Sequence, residues 1–153
     1  MFSSNTILNK PREHKLRAAV IGTGHLGQYH VQKYQQLENV ELVAIVDIEQ
    51  ARATHIAEQY NTQALIDYKE LAGMVDIVSI VTPSSTHYEI GSFCLNNNMH
   101  SLIEKPITTR VSDAQKLIQL AHTNNLVLQV GHIERFNAIV RQTKEYMQDV
   151  KFI

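Results

Sequence analysis

From Leu16 onward, short runs of aliphatic and β-branched residues alternate with longer stretches of helical period, and this alternation constrains the chain more than any other feature. The runs are almost continuously apolar, as strands covered on both faces are. The stretches between them are long enough to be crossover helices joining parallel strands. The fold class that follows is α/β, a doubly wound parallel sheet with helices on both faces. Strands are expected near Arg17–Ile21, Glu41–Asp47, Gln63–Ile66, Val75–Val81, Met99–Ile103 and Val127–Val130, with a last one starting at Val150. The clearest helix has Ser112 as its cap, Ala114, Leu117, Ile118 and Ala121 on one face, and Asn124 and Asn125 at its end. With 153 residues, 44% of them hydrophobic and 19% charged, the chain can bury one core.

Residues 1–15 hold no sustained period and read as a flexible leader, and residues 16–132 as the α/β domain. The helical stretch Ile133–Gln148 and the strand opening after it resemble the start of a second domain that the chain does not contain. A formal charge of −1 favours neither nucleic acid nor an anionic membrane as partner. No apolar run reaches the roughly 18 residues of a membrane span, and the polar N-terminus lacks a signal-peptide core, so a cytoplasmic location is expected. Cys94 is the single cysteine, which excludes an intramolecular disulfide and a multi-cysteine metal site; it reads as a small buried hydrophobe. The eight histidines include no pair spaced i, i+4, and no metal site is expected.

Gly22-Thr23-Gly24-His25-Leu26-Gly27 lies between the first strand and a helix running to about Leu37, which is the required setting for G-x-G-x-x-G. In a Rossmann βαβ unit the first glycine makes the tight turn, the second lets backbone approach a pyrophosphate, and the third packs helix on strand. The unpaired N–H groups and dipole at the helix start then favour the anion. Asp47 ends the second strand about 20 residues after Gly27, where a carboxylate accepts hydrogen bonds from an adenosine ribose. It would repel a 2′-phosphate, and Ile48 follows it instead of a cation. NAD is therefore the expected cofactor and NADP the less favoured one, although Arg52 one turn on softens that preference. A helix N-cap is the other use of Asp47. Methyltransferases that bind S-adenosylmethionine share a glycine loop and an acidic second-strand end, and the later strand ends decide against them.

Ligands of open α/β sheets bind beyond the carboxyl ends of the strands. After Val81 comes Thr82-Pro83-Ser84-Ser85-Thr86-His87, with Thr86 placed to cap a helix and Thr82, Pro83 and His87 placed to meet a cofactor. After Ile103 comes Glu104-Lys105-Pro106, an ion pair of neighbours in which the proline holds Lys105 extended. An ammonium there can orient a substrate hydroxyl or stabilise its alkoxide. The last strand runs into Gly131-His132-Ile133-Glu134-Arg135-Phe136-Asn137, where Arg135 can bind an anion or pair with Glu134.

Together, Val20–Gly27, Val46-Asp47, Val81-Thr82-Pro83 with His87, Glu104-Lys105-Pro106 and Gly131-His132 resemble the N-terminal domain of the Gfo/Idh/MocA oxidoreductases, in order and in spacing. The segment Gly131–Asn137 is most similar to members acting on UDP-sugars, including UDP-N-acetylglucosamine 3-dehydrogenase-like enzymes. The resemblance implies hydride transfer between a nicotinamide and a sugar or nucleotide-sugar carbon, with Lys105 catalytic and Lys105, His132 and Arg135 on the substrate side. It implies a cofactor held by Gly22, Thr23, Gly24, His25, Leu26, Gly27, Asp47, Thr82, Pro83 and His87, with Glu104 near the nicotinamide. It also implies an α+β second domain for substrate binding and for homo-oligomers of the full-length enzyme. Without that domain the chain is expected to be inactive, and a non-catalytic nucleotide-binding module is the alternative.

Overall fold

The computed structural model describes residues 15–143 and Tyr146. The leader up to residue 14 and the strand opening at Val150 lie outside the described residues. Six strands form one sheet: β1 (Leu16–Ile21), β2 (Val40–Val46), β3 (Gln63–Leu65), β4 (Ile77–Ile80), β5 (His100–Ile103) and β6 (Leu128–Val130). Their lateral order is β3-β2-β1-β4-β5-β6, and every neighbouring pair is parallel. The helices are α1 (His25–Gln36), α2 (Gln50–Tyr60), α3 (His87–Asn96), α4 (Val111–Thr123) and α5 (Ala138–Thr143).

Side chains alternate across a strand, and this divides the core in two. Val20 and Ile45 pack with Val31 of α1 and with Ile56 and Ala57 of α2. Their neighbours Ala19, Ile21, Ala44 and Val46 pack with Ile90 of α3 and Leu117 of α4. The doubly wound arrangement expected from the alternation is therefore present, with apolar clusters on opposite faces of the sheet. Cys94 belongs to the second cluster and is wholly buried; burial pushes its thiol up to about 12.

Several boundaries differ from those expected. Strand β4 begins at Ile77 and not at Val75, because at Asp76 the side-chain carboxylate, in place of a strand carbonyl, accepts the Arg17 N–H of β1 at 2.8 Å. Arg110 takes the cap position of α4, so Ser112 lies inside the first turn and caps nothing. On that helix Leu117 and Ala121 are buried, while Ile118 is 59% exposed, because the stripe that meets the core is narrower than the apolar pattern. The stretch after β6 is not one helix. A 3-10 turn over Ile133–Phe136 ends at Asn137, whose extended backbone and side-chain oxygen, accepting the Ile139 N–H at 2.9 Å, start α5 afresh.

Parallel pairing puts all six carboxyl ends on one edge of the sheet. Strands β1 and β4 lie side by side at its centre, where the winding reverses, and their outgoing loops diverge to leave a crevice.

Candidate functional site

The glycine turn joins β1 to α1. Gly22 has φ +89°, and a Cβ there would lie 2.6 Å from the Val81 carbonyl oxygen, so conformation and space both require glycine. A Cβ on Gly27 would run into the Gly22 carbonyl oxygen, which holds the first turn of α1 against the loop. Gly24 is different: nothing lies within 4 Å of the position its Cβ would take. It is the N-cap of α1, offers no side-chain cap, and is followed by no acidic residue in the first turn. The first N–H groups of the helix, from His25 onward, thus have neither a side-chain cap nor a first-turn carboxylate to meet them.

Asp47 lies just past β2 and is only 5% exposed. Its Oδ2 accepts the Thr23 N–H, the Thr23 hydroxyl and Arg52 Nε, each at 2.9 Å. Its Oδ1 accepts the Glu49 N–H at 3.0 Å and Arg52 Nη2 at 2.7 Å. Burial by itself raises the carboxyl, but the Arg52 guanidinium and the Glu49 and Thr23 donors outweigh it and hold Asp47 well below the usual carboxylate range. Glu49, not Asp47, is the N-cap of α2, although Asp47 does receive the N–H of that capping residue.

Between the ends of β1, β2 and β4 runs a groove of about 490 Å³, bordered by Gly22, Gly24, Asp47, Arg52, Thr82 and Pro83. Further along the same edge, Lys105 follows β5 as an exposed residue, and His132 and Arg135 follow β6, also exposed. Glu104 is buried at 5% exposure. Its Oε2 accepts the backbone N–H of Lys105 at 3.1 Å, and its Oε1 lies 3.3 Å from His30 Nε2 on α1. The neighbour ion pair expected between Glu104 and Lys105 is replaced by this arrangement. Glu134 likewise accepts the Asn137 side chain at 2.8 Å instead of pairing with Arg135.

Residues 16–132 match the family model described as an oxidoreductase family with an NAD-binding Rossmann fold. The chain belongs to the Gfo/Idh/MocA oxidoreductase family. It is 37% identical over 130 residues to UDP-N-acetylglucosamine 3-dehydrogenase of Acidithiobacillus ferrooxidans, covering 85% of this chain and 41% of that protein. A solved structure of that enzyme superposes with a TM-score of 0.81 at 36% identity, over 86% of this chain and 43% of the other. The scyllo-inositol 2-dehydrogenase (NAD(+)) of Bacillus subtilis is 29% identical over 136 residues, 86% of this chain and 40% of its own. The chain thus spans about two fifths of the length of these curated relatives.

In this Gfo/Idh/MocA domain, two residues expected at the cofactor are turned elsewhere. The Thr23 side chain is fully buried and spends its hydroxyl on Asp47. His87 is 1% exposed, with Nδ1 2.9 Å from the Pro106 carbonyl oxygen and Nε2 2.8 Å from that of Thr82, so its ring lies behind the groove wall. Thr86 caps α3 with no side-chain bond, because its hydroxyl goes to Pro83 O and Thr82 Oγ1.

The sequence reading missed the outer wall of the groove, formed by Ile48, Ile66, Tyr68 and Glu89. Ile48 is 93% exposed directly after a buried aspartate, an unusual place for an isoleucine and the one available signal of an apolar ligand face there. Tyr68 donates to Glu89 at 2.8 Å, and burial together with that carboxylate pushes its phenol up to about 12. His30 was also missed.

Gly131 at the end of β6 backs directly onto the Glu104 carboxylate, which a Cβ there would strike. Gly131→Ala should therefore lower stability by about 1 to 3 kcal/mol, read from the urea midpoint. An unchanged midpoint would show that the Glu104 side chain moves aside without cost.

Proposed function

We propose that this NAD-binding Rossmann domain serves a dehydrogenase that moves hydride between NAD and a hydroxyl-bearing carbon of a sugar or nucleotide sugar. The observation that carries the reading is the groove itself. Gly22, Gly24 at the start of α1, and the Asp47 carboxylate border one crevice at the switch point of the sheet, the place where doubly wound sheets take a dinucleotide. Gly22 and Gly24, with the first N–H groups of α1 from His25, Leu26 and Gly27, hold the pyrophosphate; Asp47 holds the adenosine ribose by exchanging the half-exposed Arg52 guanidinium for its hydroxyls, and Ile48 and Ile66 flank the adenine. Thr82 and Pro83 border the path towards β5. Bound there, the nicotinamide supplies hydride acceptance or donation.

On the substrate side, Lys105 Nζ donates to the reacting hydroxyl oxygen and stabilises the charge that grows on it as the C–H bond breaks. Glu104 acts from beneath by fixing the Lys105 backbone. Arg135, an exposed cation, suits the diphosphate of a nucleotide sugar, and His132 adds a second polar contact. The curated relatives support the substrate class. Oligomerisation, and the substrate-binding surface, belong to the rest of a protein of the relatives' length, acting in the cytoplasm, and the 153-residue chain is inert alone.

In a protein of that length carrying these residues, Lys105→Ala should lower kcat by about 10² to 10⁴, with NADH affinity held within about twofold, as read by fluorescence titration. A full rate in that variant would return Lys105 to the role of a surface lysine. Turnover by the 153-residue chain alone on any UDP-sugar would contradict its inertness.

A further inference from the structure

His87 has a task of its own. We infer that it is a positioning residue that ties the turn carrying Lys105 to the loop carrying Thr82 and Pro83, setting the distance between the substrate side and the cofactor side of the groove. The inference rests on the proposed role of Lys105. His87 is the first residue of α3, so the helix fixes where its ring starts. The ring then reaches two different loops: Nδ1 lies 2.9 Å from Pro106 O, after β5, and Nε2 lies 2.8 Å from Thr82 O, after β4. Both partners are carbonyls, which only accept. A ring carrying N–H on both nitrogens donates to two such acceptors at a fixed separation, which a one-headed side chain cannot do; a ring with a single N–H bonds one loop and only packs against the other.

The Lys105-Pro106 unit is thereby held at both ends. Glu104 Oε2 takes the Lys105 N–H, and His87 takes the carbonyl of the next residue. Lys105 itself stays exposed while the backbone on either side of it is bound to buried groups. Thr86 staples the cofactor loop from its other side through Thr82 Oγ1 and Pro83 O. This matters because hydride transfer needs its reacting atoms within roughly 3 to 3.5 Å, and an error of about 1 Å costs on the order of 100-fold in rate. Groups on two neighbouring strand ends meet that tolerance only if their loops are joined.

The test uses the 153-residue chain. In the wild type, side-chain ¹H–¹⁵N spectra should show both His87 ring N–H groups protected from solvent exchange; one protected N–H, or none, would overturn the tie between the loops without any variant. His87→Phe fills the same space with no nitrogen. It should leave exchange of the β1 and β2 core amides as in the wild type and speed exchange of the Lys105 amide by about tenfold or more. His87→Gln, which keeps a donor, should restore part of the protection. Unchanged Lys105 exchange in folded His87→Phe, or equal acceleration everywhere, would make His87 a core-filling residue only. The failure of the proposed function looks different: turnover would survive Lys105→Ala while His87→Phe still loosened the turn.

Discussion

Gly24→Val should fold normally and bind NADH at least about 50-fold more weakly, the largest loss expected from any single change that spares the fold. The backbone at Gly24 (φ −62°, ψ −167°) is open to any residue, and nothing lies within 4 Å of a Cβ placed there. The folded state therefore loses little, about 1 kcal/mol at most from a poorer N-cap residue. The valine methyls instead take up the space through which backbone would meet a pyrophosphate. The check is an NADH fluorescence titration beside a thermal melt. A folded variant with affinity within threefold of wild type would remove the glycine turn from the cofactor site. Gly27→Ala makes a useful contrast, because its methyl meets the Gly22 carbonyl oxygen inside the fold and should damage stability first.

Asp47→Ala should weaken NAD binding by about tenfold or more and cost about 2 to 4 kcal/mol of stability. The two losses have different origins. Affinity falls because the ribose loses its acceptor, and discrimination against NADP narrows because the charge that repels a 2′-phosphate is gone. Stability falls because the buried Thr23 N–H and hydroxyl and the Glu49 N–H lose their acceptor, as does Arg52. The folded carboxyl titrates well below its unfolded value of about 3.9, so its stabilising contribution is complete above that value. It fades as pH falls from there through the folded value. Urea midpoints of wild type and variant should thus differ fully at neutral pH and converge in acid, starting near pH 4. A constant gap across that range, or an unchanged NAD affinity, would overturn one half of the assignment or the other.

Much of the crevice lining, Gly22, Gly24, Asp47, Thr82 and Pro83 among it, could be read from the sequence because its signals are local. Gly22, Gly24 and Gly27 lie within one turn, and Asp47 is fixed by its place after an apolar run. The parallel sheet follows from alternation alone. What escaped was set by tertiary contact. The Glu104 carboxylate faces His30, far away in the chain, and only the packing of α1 near the end of β5 brings them together. The groove wall of Ile48, Ile66, Tyr68 and Glu89 comes from three separate segments. His87 looked like a cofactor contact because its position beside the crevice was right; the direction of its ring was decided by two carbonyls that no spacing rule could locate. Ser112 and Ile118 failed for a similar reason, since propensity and periodicity say which residues suit a helix and not which turn begins it or how wide a face the sheet covers.

The burial of Cys94 turns the molecule into its own clock. It is the single cysteine of the sequence, it has no exposure in the folded state, and its thiol is held protonated far above neutral pH. A thiol reagent can reach it only when α3 lifts from the sheet, so the labelling rate counts those openings directly, with no probe added and no residue changed. Because α3 also carries His87, the same clock would register how firmly a dinucleotide, once bound, closes this half of the sheet.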